Sequence, residues 1–142
     1  MLGDLLRGFL AAAISVVLVH QLIVFILNRL GLWEPKAYSM APIGPLQLPT
    51  IVNSIFWGGM WGVVYVLTRH LLPDLPLATQ GALFGLLMLV FSNSLVVPLL
   101  KGQPIFFGFD LKKILAVALI LSCFGAGMAY FNEALTVPFA PL

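Results

Sequence analysis

Polar residues interrupt this chain so rarely that its apolar runs organise it. Four runs stand out: Leu5–Leu30, Ile51–Leu72, Leu77–Leu100 and Leu111–Phe131. As helices rising 1.5 Å per residue, each reaches roughly 30–39 Å, enough to cross a hydrocarbon core of about 30 Å. A helix satisfies its backbone polar groups internally, which lipid demands of any open-ended segment. The pattern therefore predicts an all-α fold, a four-helix transmembrane bundle forming one integral membrane domain over residues 1–142.

Each run also has faces. In the second, Asn53, Trp57, Trp61, Val64 and Thr68 share one side at about 100° per residue. Gly58, Gly62 and Arg69 lie roughly opposite, beside Ile55 and Gly59. A small-residue face admits a neighbouring backbone, and an aromatic face asks for partners for its indole N–H groups. In the third run Ala78, Gly81, Gly85 and Ser92 line up. In the fourth, Ala118, Ser122, Gly125, Ala126 and Ala129 do so. In the first, His20, Gln21 and Asn28 form a polar stripe that should face protein or water. Opposed packing faces on the second helix exceed what one bundle uses. They predict self-association or docking to other membrane subunits.

The connections differ in kind. Gly31 to Pro49 holds Pro35, Pro42, Pro45 and Pro49, which exclude a helix and fix extended or turn geometry. Its Trp33 and Tyr38 suit the headgroup zone. This first loop reads either as a stiff lid over the helix ends or as an ordered linker. The second turn, Arg69 to Pro76, is short and makes its flanking helices antiparallel neighbours. Pro98 frees the carbonyl of Ser94, so the third helix should kink or loosen there. Asp110 is placed to N-cap the last helix. The apolar tail, Glu133 to Leu142, is expected to rest on the outer interface.

Composition turns the pattern into a class. The chain is 61% hydrophobic and 8% charged, with a mean hydropathy of +1.09, whereas soluble domains are about 25% charged. The lipid bilayer is thus the expected surrounding. A net charge of +2 with scattered basic residues gives no nucleic-acid signature. Cys123 can form no internal disulfide. Asp4 interrupts the amino-terminal region and the following apolar run is long for a signal peptide, so the first helix is expected to stay. Arg29, Lys36, Lys101, Lys112 and Lys113 lie on the side of loops 1 and 3, against Arg7 and Arg69 opposite. The positive-inside bias then puts loops 1 and 3 in the cytoplasm and both termini outside.

Three stretches carry a resemblance: Ser39-Met40-Ala41-Pro42-Ile43-Gly44-Pro45, then Phe56-Trp57-Gly58-Gly59-Met60-Trp61-Gly62, then Val97-Pro98-Leu99-Leu100-Lys101-Gly102-Gln103-Pro104. Together they resemble a family of small bacterial four-helix integral membrane proteins that carries no assigned function. The resemblance implies the four-helix topology and attaches no activity, cofactor or catalytic residue. The expected location is a bacterial inner membrane.

Three constellations could carry chemistry. His20 is the ionisable side chain deep in a run, and with Gln21 and Ser122 it outlines an intramembrane polar site. The plainer reading is a neutral His20 bonded to Ser122 or to a tryptophan of the second helix. Asp4, Glu34, Asp74, Asp110 and Glu133 all sit at ends or in loops, so no carboxylate–histidine relay is available within one chain. His70 lies about 20 Å from His20 in depth, and Cys123 with His20 falls short of a zinc shell. No metal and no cofactor are expected.

Asn28, Asn53 and Asn93 fall toward one side and, with Lys101, outline a cytoplasmic vestibule for a small polar solute, an ion or a lipid headgroup. The alternative is interhelical hydrogen bonding, about 0.6 kcal/mol each. Trp57 and Trp61 either line an aromatic pocket or fill the core. Gly58, Gly62, Gly81, Gly85 and Gly125 are the helix-packing positions. Ser92, Ser94 and Ser122 have no histidine and carboxylate at their depth, so no enzyme is expected. The sequence leads to a non-enzymatic protein: a homo-oligomeric or accessory subunit, or alternatively a small channel or transporter built around His20.

Overall fold

A computed structural model describes residues 1–136. Of the tail expected on the outer interface, Glu133 to Leu142, the first two residues belong to the last helix and residues 137–142 lie outside the described residues. Four helices are long and apolar enough to cross a membrane: α1 (Leu2–Arg29), α2 (Thr50–Leu71), α3 (Leu77–Lys101) and α4 (Leu111–Ala134). The chain is mostly helical, and a two-stranded hairpin in loop 1 is a small addition, β1 (Pro42–Ile43) against β2 (Leu48–Pro49). Helix α1 starts at Leu2 rather than Leu5 because Asp4 holds its own first turn. Its carboxylate takes the terminal amine at 3.0 Å and Arg7 at 2.9 Å. Asp110 caps α4 by accepting from the backbone N–H groups of Lys112 and Lys113.

The first and last of these helices are the inner ones. Helix α1 packs on α2 and on α4, and α4 packs on α3, so the spatial order is α2–α1–α4–α3. Glycines set two of these seams. A Cβ on Gly62 would overlap the Gly8 carbonyl oxygen and stand 2.6 Å from Ala12 Cβ. One on Gly125 would overlap the Gly81 carbonyl oxygen and come 3.0 Å from Gly85 N. Backbones this close exclude any side chain between them. Between α1 and α4 the buried Ser15 hydroxyl donates to the Phe124 carbonyl at 2.8 Å.

The core divides along the helix axis. Toward the second turn, Ala12, Val16, Tyr65, Phe84, Phe124, Met128 and Ala129 interlock, drawing on all four helices. Toward loops 1 and 3, Val24, Leu27, Ala116 and Ile120 pack between α1 and α4 alone, under Trp33 and Ala37 of loop 1.

Loop 1 is pinned by the polar stripe of α1. The Asn28 amide nitrogen donates to the carbonyls of Trp33 (2.6 Å) and Pro35 (2.8 Å), and its oxygen accepts from Ala37 N–H (3.0 Å). The Gln21 oxygen accepts from Tyr38 N–H at 2.6 Å. The Tyr38 hydroxyl donates to the Val17 carbonyl at 2.7 Å. That carbonyl lies in a π-helical turn, Val16–His20, where Gln21 N–H reaches back to Val16 instead of Val17. The wider turn thus frees an acceptor face for the loop.

Helix α3 contains two more π turns, Gly85–Leu89 and Ser92–Val96. The second precedes Pro98, where the missing N–H called for loosening. Loop 3 contains a left-handed turn, with Phe106, Phe107, Gly108 and Phe109 all at φ between 47° and 67°. Such backbone costs roughly 1–2 kcal/mol per non-glycine residue. Stacking of Phe106 on Phe109, and Trp33 meeting Phe107 edge to face, help to hold it.

Candidate functional site

The glycine face of α2 turns toward α1 and α4: Gly58 lies against Val16 and Phe124, Gly59 against Phe9, and Gly62 against Gly8. That rotation leaves Asn53, Trp57, Trp61 and Val64 on the opposite flank, toward α3. Short backbone contacts likewise fix α3 on α4 through Gly81 and Gly85. Helices α2 and α3 are left to meet each other through side chains, and they do so at one end. Phe84 stands edge to face with Tyr65 (5.3 Å between centroids) and Trp61 (6.2 Å), and the Tyr65 hydroxyl donates to the Gln80 side-chain oxygen at 3.1 Å. Toward loops 1 and 3 a groove of about 680 Å³ separates them.

One wall of the groove carries Asn53, Ser54, Trp57 and Trp61 from α2; the other carries Ser92, Asn93, Val97 and Lys101 from α3. Its floor is made by Val16 and His20 of α1 with Leu121 and Phe124 of α4. Two of its polar lining segments, His20 on the floor and Ser92–Asn93 on the α3 wall, belong to π turns. Trp57 is 57% exposed, so the groove opens sideways rather than being roofed by protein.

His20 has a fixed hydrogen-bond state. Because Tyr38 N–H can only donate, it takes the Gln21 oxygen, and the Gln21 amide nitrogen then faces His20 Nδ1 at 3.2 Å. Nδ1 is the acceptor, so a neutral ring carries its proton on Nε2 and offers a donor. The ring stands edge to face on Phe124 at 6.0 Å. Lys101, the last residue of α3, precedes Gly102, whose left-handed φ of 64° ends the helix. Among the described residues it is the one Lys or Arg at the groove, no Asp or Glu lines the groove, and no carboxylate pairs with it.

The sequence candidates are thereby regrouped. His20, Asn53, Asn93, Lys101, Trp57 and Trp61 come together around one groove. Asn28 does not join them, being engaged with loop 1. Gln21 links His20 to that loop. Ser122 donates to the Leu119 carbonyl of its own helix at 3.2 Å, and its Cα lies beside Gly85 on the α3–α4 seam. Among the described residues, no loop 1 side chain lines the groove. Sequence reasoning passed over Ser54 and the buried Ser15, and read Tyr38 only as a headgroup-zone residue, whereas it bonds to Gln21 and the Val17 carbonyl of α1. Ser54 had a signal, its place beside Asn53; the long-range partners of Tyr38 and Ser15 had none.

The arrangement offers a cation at the mouth, amides and hydroxyls on the walls, and aromatic surface farther in. Among the described residues no group of three or more His, Cys, Asp or Glu side chains converges. Compared with known proteins, the chain matches no family model, no curated protein and no solved structure.

Proposed function

We propose that this chain is a multi-pass protein of a bacterial inner membrane, with all four helices crossing the bilayer, and that it binds a small ligand in the α2–α3 groove without catalysing a reaction. One observation carries the reading: side chains from four helices, polar and aromatic, converge on a single hollow of about 680 Å³. That size lies within the range of about 300–1,000 Å³ usual for small-molecule sites. The Lys and Arg bias puts loops 1 and 3 in the cytoplasm, so the mouth at Lys101 faces inward and both termini lie outside. A transport role would require the Tyr65–Gln80–Phe84 contact to part, since it closes the far end. The glycine stripe that favours self-association is used inside the chain, Gly58 and Gly62 being covered by α1. Binding in the groove is therefore preferred to a role as an oligomeric or accessory subunit.

The test is native mass spectrometry of the protein released gently from its own membrane. A small molecule should leave with the chain, and Trp61→Ala, which removes part of the groove wall, should abolish its retention. A ligand held equally well by the variant, or no small molecule at all, would rule the reading out.

A further inference from the structure

We infer that the groove holds one anionic lipid of the leaflet on the loop 1 and loop 3 side, with its headgroup at Lys101 and an acyl chain lying between α2 and α3. This rests on the groove being a ligand site and on the helices crossing a bilayer. Three observations select the ligand class. The first is charge. Among the described residues Lys101 is the one formally charged side chain on the groove wall, and it sits at the mouth, where α3 ends. A cation with polar neighbours and no carboxylate selects an anionic group and disfavours a cation or a zwitterion.

The second is the gradient of polarity. Asn53 and Ser54 stand at the mouth on α2, and farther along the same flank come Trp57, Trp61 and Val64, facing Leu121 and Phe124 of the floor. A free polar anion would use the mouth and leave the aromatic part without a partner. An amphiphile uses both.

The third is length and access. From Asn53 to Val64 the groove follows α2 for about 16 Å at 1.5 Å per residue. Half of a hydrocarbon core of about 30 Å is about 15 Å, the depth of one leaflet. The groove ends where Tyr65, Phe84 and Gln80 close it. Its open side exposes Trp57 and Met60, at 57% and 40%. A chain can therefore enter laterally from the bilayer without the helices parting.

The experiment uses the full chain, delipidated in detergent and then given phosphatidylglycerol and phosphatidylcholine in equal amounts, with adducts counted by native mass spectrometry. One phosphatidylglycerol should be retained about five- to tenfold in preference to phosphatidylcholine, the effect of one lysine near an anionic headgroup. Lys101→Gln should bring that ratio close to one. Lys112→Gln with Lys113→Gln should leave it unchanged, since these residues lie outside the groove. Circular dichroism of each variant confirms that the helices persist. Equal retention of both lipids by the unaltered chain would overturn the inference, as would a preference that survives Lys101→Gln. A co-purified polar solute or a second protein chain displaced by Asn53→Leu would also overturn it. The solute would leave the binding reading intact. No adduct of any kind would remove both.

Discussion

The two ends of this bundle are built from the same four helices and reach opposite results. At the end near the second turn, Tyr65 and Phe84 are 1% exposed, and small residues bring α1 onto α2 and α3 onto α4 at backbone distance. At the other end only α1 and α4 remain packed together, loop 1 covers their outer side, and α2 and α3 stand apart. The connections explain much of the difference. A short turn bounded by Pro73 and Pro76 holds α2 and α3 together at one end, whereas at the other each is joined to an inner helix instead. Polar side chains follow the opening. His20, Asn53, Asn93 and Lys101 all lie where the outer helices separate.

Substitutions at the two ends should therefore differ in kind. The largest effect is expected from Gly62→Leu, which would drive a side chain into the Gly8 carbonyl. Overpacking of this sort costs about 3 kcal/mol or more where the facing atoms are backbone. Unfolding in mixed detergent should show it, and an unchanged midpoint would mean that α1 and α2 do not approach as described. Next comes Asn28→Leu, which removes three hydrogen bonds to loop 1. A loss of about 2 kcal/mol is expected, taking each at about 0.6–1 kcal/mol. Faster amide exchange at Ala37 and Tyr38 is the direct readout, and retained protection would show that the loop is held by other contacts.

Tyr65→Phe keeps the ring against Phe84 and removes the bond to Gln80. The expected cost is about 0.6–1 kcal/mol, and crosslinking between the ends of α2 and α3 should become less efficient. A shift above about 2 kcal/mol would mean that the hydroxyl holds more than this one bond. The smallest effect on stability is expected from Trp57→Ala, because this side chain is 57% exposed in the groove. The unfolding midpoint should move by less than about 0.5 kcal/mol, while ligand retention falls. A large destabilisation would make Trp57 a core residue and weaken the contrast between the ends.

Much of this was legible from periodicity. The four apolar runs match the four helices to within a few residues, and Gly58, Gly62, Gly81, Gly85 and Gly125 lie on close helix contacts. The reason is that close approach requires a small residue whatever the partner. Which partner it would be was not legible. Two small faces on different helices look the same before folding, so a seam within the chain and one between chains share a signature. The stripe of His20, Gln21 and Asn28 was visible as polar, but its division of labour depends on Tyr38 and Ala37, which are brought back by a proline-rich loop. The left-handed turn at Phe106–Phe109 was invisible because phenylalanine seldom adopts positive φ.

The inner pairing of the first and last helices also has a consequence in time. The Ser15 hydroxyl finds its acceptor at Phe124, 109 residues farther along the chain. At a synthesis rate of about 5–20 residues per second, α1 emerges roughly 5–20 s before that acceptor exists. During this interval α1 and α2 can zip along Gly8 and Gly62, while the side of α1 that carries Ser15 has no helix to meet. The nascent chain is thus exposed longest on its most central surface, and whatever shelters it must let go only when α4 arrives.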